Sequence, residues 1–77
     1  MKIVICGAGL VGTSIASHLA EEQNDVTVID ASAEKIQRLT EQVDVHGVVG
    51  VASYPDILSG AGARDAELLI AVTESDE

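Results

Sequence analysis

A parallel α/β sheet with helices wound on both faces is the fold class this sequence predicts, and three observations predict it. Apolar residues Ile3, Val4, Ile5 and Cys6 run straight into Gly7-Ala8-Gly9-Leu10-Val11-Gly12, and an amphipathic pattern follows. Strand-like and helix-like stretches then alternate along all 77 residues. The second strand-like stretch ends at Asp30, 18 positions past Gly12. Gly7, Gly9 and Gly12 fill the pattern G-x-G-x-x-G, a weak signal alone. It gains weight when it follows a strand, opens a helix and precedes an acidic residue about 20 positions on. All three conditions are met here.

Lys2 to Cys6 reads as a buried strand. From Leu10 onward, Val11, Ile15 and Leu19 recur at four-residue spacing beside Ala16 and Ala20, which predicts one apolar helical face. His18, Glu21, Glu22 and Gln23 fall on its polar side and end, and Asn24-Asp25 supplies turn chemistry. Val26 to Ile29 is a β-branched strand that closes on Asp30. Ser32 can cap the next helix with its hydroxyl. Ile36, Leu39 and Val43 mark that helix's buried face, and Lys35, Arg38 and Glu41 its wet one. Val45 to Val49 makes a weaker third strand, whose Gly47 suits a sheet edge. After the small-residue loop Gly50 to Ser53, Pro55 can open a helix with Ile57, Leu58 and Ala61 inside, ended by Gly60 and Gly62. Glu67 to Val72, ELLIAV, is the most continuously apolar run and predicts a strand covered on both faces. Thr73 caps a last helix, with Asp76 and Glu77 in its first turn.

Strand–helix alternation of this kind demands parallel pairing with right-handed crossovers. A reversal after the third strand gives the spatial order 3-2-1-4, the first half of a Rossmann-like doubly wound fold. Half a fold leaves ELLIAV as an open apolar edge, which proteins cover or pair. Residues 1–77 are therefore expected to be the N-terminal portion of one nucleotide-binding domain, cut at the start of the helix after strand four.

Composition narrows the partners. The net charge is −9, and the four basic residues Lys2, Lys35, Arg38 and Arg64 are scattered. Nucleic-acid binding needs a basic patch, and an anionic membrane surface needs basic clusters; neither pattern is present. No apolar run nears the roughly 20 residues that span a bilayer, so direct membrane insertion is not expected. The chain opens on Met1 without a charged-then-apolar leader, and its single Cys6 has no intrachain partner. Both features suit a reducing cytoplasm.

The candidate chemistry sits at the glycine turn. Gly7 permits the tight turn, Gly9 lets the backbone approach a pyrophosphate, and Gly12 lets the helix pack against the sheet. The helix N-terminus then faces the phosphates. Asp30 can accept from both ribose hydroxyls of an adenosine and repels a 2′-phosphate, which favours NAD over NADP. The bland alternatives are a turn rich in glycine for packing alone and an ordinary turn aspartate. Cys6 reads as an inert small hydrophobe. His18 and His46 lack partners at metal-ligand spacing, and no metal site is expected. Tyr54 suits packing over the next helix better than stacking on an adenine. Thr73 and Glu74 follow strand four at the carboxyl edge of the sheet, where ligands of such folds bind. No catalytic acid, base or nucleophile can be named.

MKIVICGAGLVG, the VTVID strand, GVASYPDIL and AGARDAELLIAVTESDE together resemble the TrkA-type regulators of potassium uptake, which carry the RCK (or KTN) nucleotide-binding domain. The specific part is G-x-A-S-x-P-x-x-L followed by A-G-x-x-x-A-x-x-x-I-A-V-T-x-x-D-E. The resemblance implies a non-enzymatic, peripheral cytoplasmic subunit that assembles as a dimer or larger homo-oligomer on a potassium-translocating membrane protein. It implies that Gly7, Ala8, Gly9, Leu10 and Val11 hold the phosphates, with Asp30 on the ribose and Thr73 and Glu74 on the far side of the nucleotide. The nucleotide is NAD+ or NADH, with ATP or ADP as the alternative. Two positions depart from the pattern: Val51 stands where the family carries a polar residue, and Ala31 where it is commonly basic. The other readings of the residues are the cofactor half of an NAD-dependent dehydrogenase and a Rossmann module that serves only for oligomerisation.

Overall fold

The structure, a computed structural model, describes residues 1–50 and 68–71. Six elements follow one another: β1 (Lys2–Cys6), α1 (Leu10–Glu21), β2 (Asp25–Asp30), α2 (Ala33–Gln42), β3 (His46–Val49) and β4 (Leu68–Ala71). The strands form one four-stranded sheet in the order β3-β2-β1-β4. Every pairing is parallel: Ile3 lies opposite Val26 on one side and Leu68 on the other, and Thr27 lies opposite His46. This is the expected 3-2-1-4 arrangement, with β3 at one edge and β4 at the other among the described strands.

The interior is aliphatic. Ile3, Ile5, Val26 and Val28 meet Ala16, Ile36 and Leu39 in one cluster. Val4, which alternates to the opposite face of β1, is also 0% exposed, so both faces of the strand are covered. β1, β2 and β3 step across the sheet in one direction, so right-handed crossovers place α1 and α2 on the same face. Among the described residues, no helix is long and apolar enough to cross a membrane.

Three local details differ from expectation. The buried face of α1 is built on Gly12 and Ala16, with Ile15, Leu19 and Ala20 partly covered; Val11 is 54% exposed. The small pair lets the helix axis approach the sheet, which rotates Val11 outward. The turn after α1 hinges on Gln23, at φ 66°, in the left-handed region that β-carbon-bearing residues seldom enter. Asn24 secures it, its side-chain amide donating to the Leu19 carbonyl at 2.9 Å, and Asp25 already belongs to β2. At β3, a β-carbon on Gly47 would come within 2.5 Å of Ile36 Cγ2, so its glycine serves the close approach of α2. Ser32 caps α2 as expected, accepting the Lys35 amide at 3.3 Å. The expected helix from Pro55 and the cap at Thr73 lie outside the described residues.

Candidate functional site: the glycine turn and Asp30

The carboxyl ends of β1 and β2 build the site. Past the end of β1, the Gly7 amide continues the ladder by donating to the Ile29 carbonyl at 2.8 Å. Gly7 has φ 121°, a conformation that side chains oppose, and the chain turns there toward α1. A β-carbon on Gly12 would collide with the Gly7 carbonyl oxygen, so strand end and helix start touch backbone to backbone. Thr13 ties the turn from the other side, its hydroxyl donating to the Ala8 carbonyl at 3.2 Å and its amide to the Gly9 carbonyl at 2.9 Å.

The start of α1 carries the positive end of the helix dipole. Gly9 occupies the cap position and supplies no side-chain acceptor, and the first turn holds no acidic residue. By contrast, α2 has the Ser32 hydroxyl at its cap and Glu34 in its first turn. A helix start of the first kind favours an external anion. Leu10 and Val11 stand exposed beside it, at 86% and 54%.

Asp30 ends β2 against this turn. One carboxylate oxygen, Oδ2, accepts the Ala8 amide at 2.8 Å; the other, Oδ1, accepts the Ser32 amide at 2.8 Å. Its main-chain carbonyl accepts the Gly50 amide at 2.9 Å, which carries the ladder on to the end of β3. The carboxylate is thus oriented by two strong, charge-assisted bonds. Ala8, itself only 6% exposed, is joined to a residue 22 positions away.

The remaining candidates sort themselves. Cys6 is half-buried, and desolvation pushes its thiol above the ordinary value of 9.0, which suits an inert side chain. His18 lies 3.6 Å from Glu22 and His46 3.5 Å from Asp25, each at the surface. Among the described residues, no group of three or more His, Cys, Asp or Glu side chains could hold a metal ion. A cavity of about 440 Å³ opens between α1 and α2, lined by Gly9, Leu10, Thr13, Lys35 and Arg38 among others. Thr73, Glu74 and Tyr54 lie outside the described residues. Sequence reasoning missed Thr13 and the amide of Ser32 as supports of the site. A hydroxyl residue directly after Gly12 was the available signal for the first; main-chain donors leave none.

Strand order, glycine turn and strand-ending acid define a Rossmann-like domain with a glycine-rich loop between β1 and α1. Residues 3–77 match the family model described as the TrkA-N domain. The chain belongs to the TrkA-N domain family. It is 60% identical over all its 77 residues to the Trk system potassium uptake protein TrkA of Azorhizobium caulinodans, and 51% identical to that of Halomonas elongata. The chain spans 17% of the length of each of these relatives. Among solved structures, it resembles the Shewanella denitrificans Kef CTD in AMP bound form, with a TM-score of 0.81 and 25% identity, over 97% of this chain and 44% of that one.

Proposed function

We propose that this chain is the nucleotide-binding part of a regulatory subunit in a Trk-type potassium uptake system, and that its nucleotide is NAD+ or NADH. The observation that carries the reading is the Asp30 carboxylate, held at 2.8 Å by the Ala8 amide of the glycine turn. The residues fit an adenosine nucleotide. The first turn of α1 has no acid of its own for the phosphates to displace, and among the described residues each Asp30 oxygen accepts one hydrogen bond, leaving acceptor capacity toward a ribose. In this reading Gly9, Leu10, Val11 and Gly12 face the phosphates, Gly7 and Ala8 shape the turn, and Thr73 and Glu74 reach the far side of the nucleotide. The AMP-bound state of the Kef domain supports an adenosine nucleotide, and the names of the curated relatives support potassium uptake.

The role is regulatory and non-catalytic. A bound nucleotide shifts the equilibrium between arrangements of paired domains by the difference in its affinity for them. The same reading takes the segment as the first portion of one RCK-type domain, completed by chain after Glu77. It acts as a homo-oligomer on the cytoplasmic face of a potassium-translocating membrane subunit, without inserting in the bilayer itself. Calorimetric titration of the full chain with NAD+, NADH, ATP and ADP tests it. NAD+ or NADH binding tightest, with different affinities for the two redox forms, is the expected result. Equal affinities for NAD+ and NADH, without change in potassium flux or domain arrangement, contradict it. Turnover of a hydroxy-acid substrate with NAD+ would favour the dehydrogenase reading instead.

A further inference from the structure

We infer that the cavity between α1 and α2 is a second binding site, for a small organic anion with an apolar body such as an arylalkyl carboxylate, whose charge is read by Lys35 and Arg38. The inference stands apart from the nucleotide reading, because Asp30 does not line this cavity. The volume of about 440 Å³ falls in the range of small-molecule pockets. Ala8 and Leu39, at 6% and 2% exposure, give the cavity a buried apolar floor, and Leu10 stands open at its side. Such a surface favours an apolar body, which it removes from water. The polar lining is sparse: Thr13 and Ser14 from α1, and Lys35, Arg38 and Gln42 from α2. Few polar groups on an apolar floor fix the orientation of a ligand rather than solvate it evenly.

Charge decides the sign of the ligand. The chain carries 13 Asp and Glu against four Lys and Arg. Among the described residues that line the cavity there is no acid, whereas two of the four bases are present. The local sign is thus opposite to that of the chain, and a concave surface of one sign with low-dielectric walls concentrates counter-ions. Gly9 and Leu10 add the positive end of the α1 dipole. Lys35 is misplaced as a helix residue: it lies in the first turn of α2, three positions after the Ser32 cap, where the dipole disfavours a cation. Its ammonium makes no ion pair among the described residues, and the adjoining Glu34 is engaged by Arg38 at 3.2 Å. Helix stability therefore gives no reason for Lys35, and a carboxylate seated in the cavity gives one. Arg38 keeps further N–H donors beyond the nitrogen that meets Glu34.

Calorimetric titration of the full chain with 4-phenylbutyrate and with its neutral analogue, 4-phenylbutan-1-ol, tests the site, since the two share a body and differ in charge. The acid is expected to bind about 10-fold tighter than the alcohol, the scale of one hydrogen bond to a charged group. Lys35→Gln and Arg38→Gln should each narrow that ratio, and the double substitution should abolish it. Lys2→Gln, which removes a base outside the cavity, should leave it at the wild-type value. Saturating AMP should leave the acid bound. Displacement of the acid by AMP overturns the assignment, because the cavity would then be part of the nucleotide's own seat. Absence of acid binding to the wild type, equal affinities for acid and alcohol, or an equal loss in Lys2→Gln, the mark of general charge alone, overturns it as well. Failure of AMP to bind contradicts the nucleotide reading instead, and the ratio of acid to alcohol affinity still decides the cavity.

Discussion

Asp30 and Cys6 stand at the ends of neighbouring strands, yet their surroundings push them toward different chemistry. Asp30 is surrounded by donors, the Ala8 and Ser32 amides, which hold a charge in place. Cys6 is partly desolvated, and burial alone raises its thiol above 9.0. For a thiol, a raised value means that the neutral form is favoured in the folded state. Its contribution to stability is present in full below 9.0 and is lost as pH rises through the raised value. Two outcomes follow: iodoacetamide alkylates Cys6 more slowly in the folded than in the unfolded chain at mildly alkaline pH, and Cys6→Ala removes part of the fall in stability above 9.0. An equal alkylation rate in the two states contradicts the assignment. At this scale the sequence was readable where a residue's role depends on its own side chain. Asp30 was legible as an acid ending a strand. Its bond to Ala8 was not, because the donor is a main-chain amide and the two residues are 22 positions apart.

Among the elements, α1 shows most clearly how a glycine decides geometry. Periodicity placed Val11, Ile15 and Leu19 on the buried face, because apolar spacing reports where large side chains repeat. Ile15 and Leu19 do pack against the core, but the most deeply buried positions are the smallest residues, Gly12 and Ala16, and Val11 is left 54% exposed. The close approach of Gly12 to the Gly7 carbonyl is what selects that seating. Gly12→Ala puts a methyl group into backbone that has no side chain to move aside, so α1 must shift as a unit. The expected cost is about 1–3 kcal/mol, the range for overpacking a tight contact, together with weaker nucleotide binding as the helix start moves. Urea denaturation of the variant checks the first; a midpoint unchanged from wild type would refute the contact. β3 teaches the same lesson. Gly47 reads from sequence as a mark of an edge, and β3 does lie at one; its lack of a β-carbon also makes room for Ile36 and Thr40 of α2. The strands themselves were legible because continuous aliphatic runs have few other solutions in an α/β sheet.

The whole chain presents a four-stranded parallel sheet with β4 at its end, paired only to β1 among the described strands. Leu68 on that strand is 42% exposed. An apolar parallel strand in this position is covered in complete doubly wound sheets, consistent with the proposal that chain after Glu77 completes the domain. Residues 1–77 expressed alone are therefore expected to be marginally stable or to self-associate, since a domain near this size buries only about 60–70% of its unfolded surface. Light scattering together with a cooperative melt checks this, and a stable, well-folded monomer contradicts it. The fold and family were legible over the full length because spacing between segments is itself a pattern. The choice of nucleotide stays a proposal that rests on Asp30 and Ala31, since glycine turns are shared by many ligands. What joins these scales is the proposal of a nucleotide seated at the start of α1 with its ribose on Asp30. Calorimetric titration of the full chain with NADH, wild type beside Asp30→Ala, tests that claim most directly: affinity should fall about 10–100-fold in the variant, whereas equal affinities, or no binding by the wild type, would contradict it.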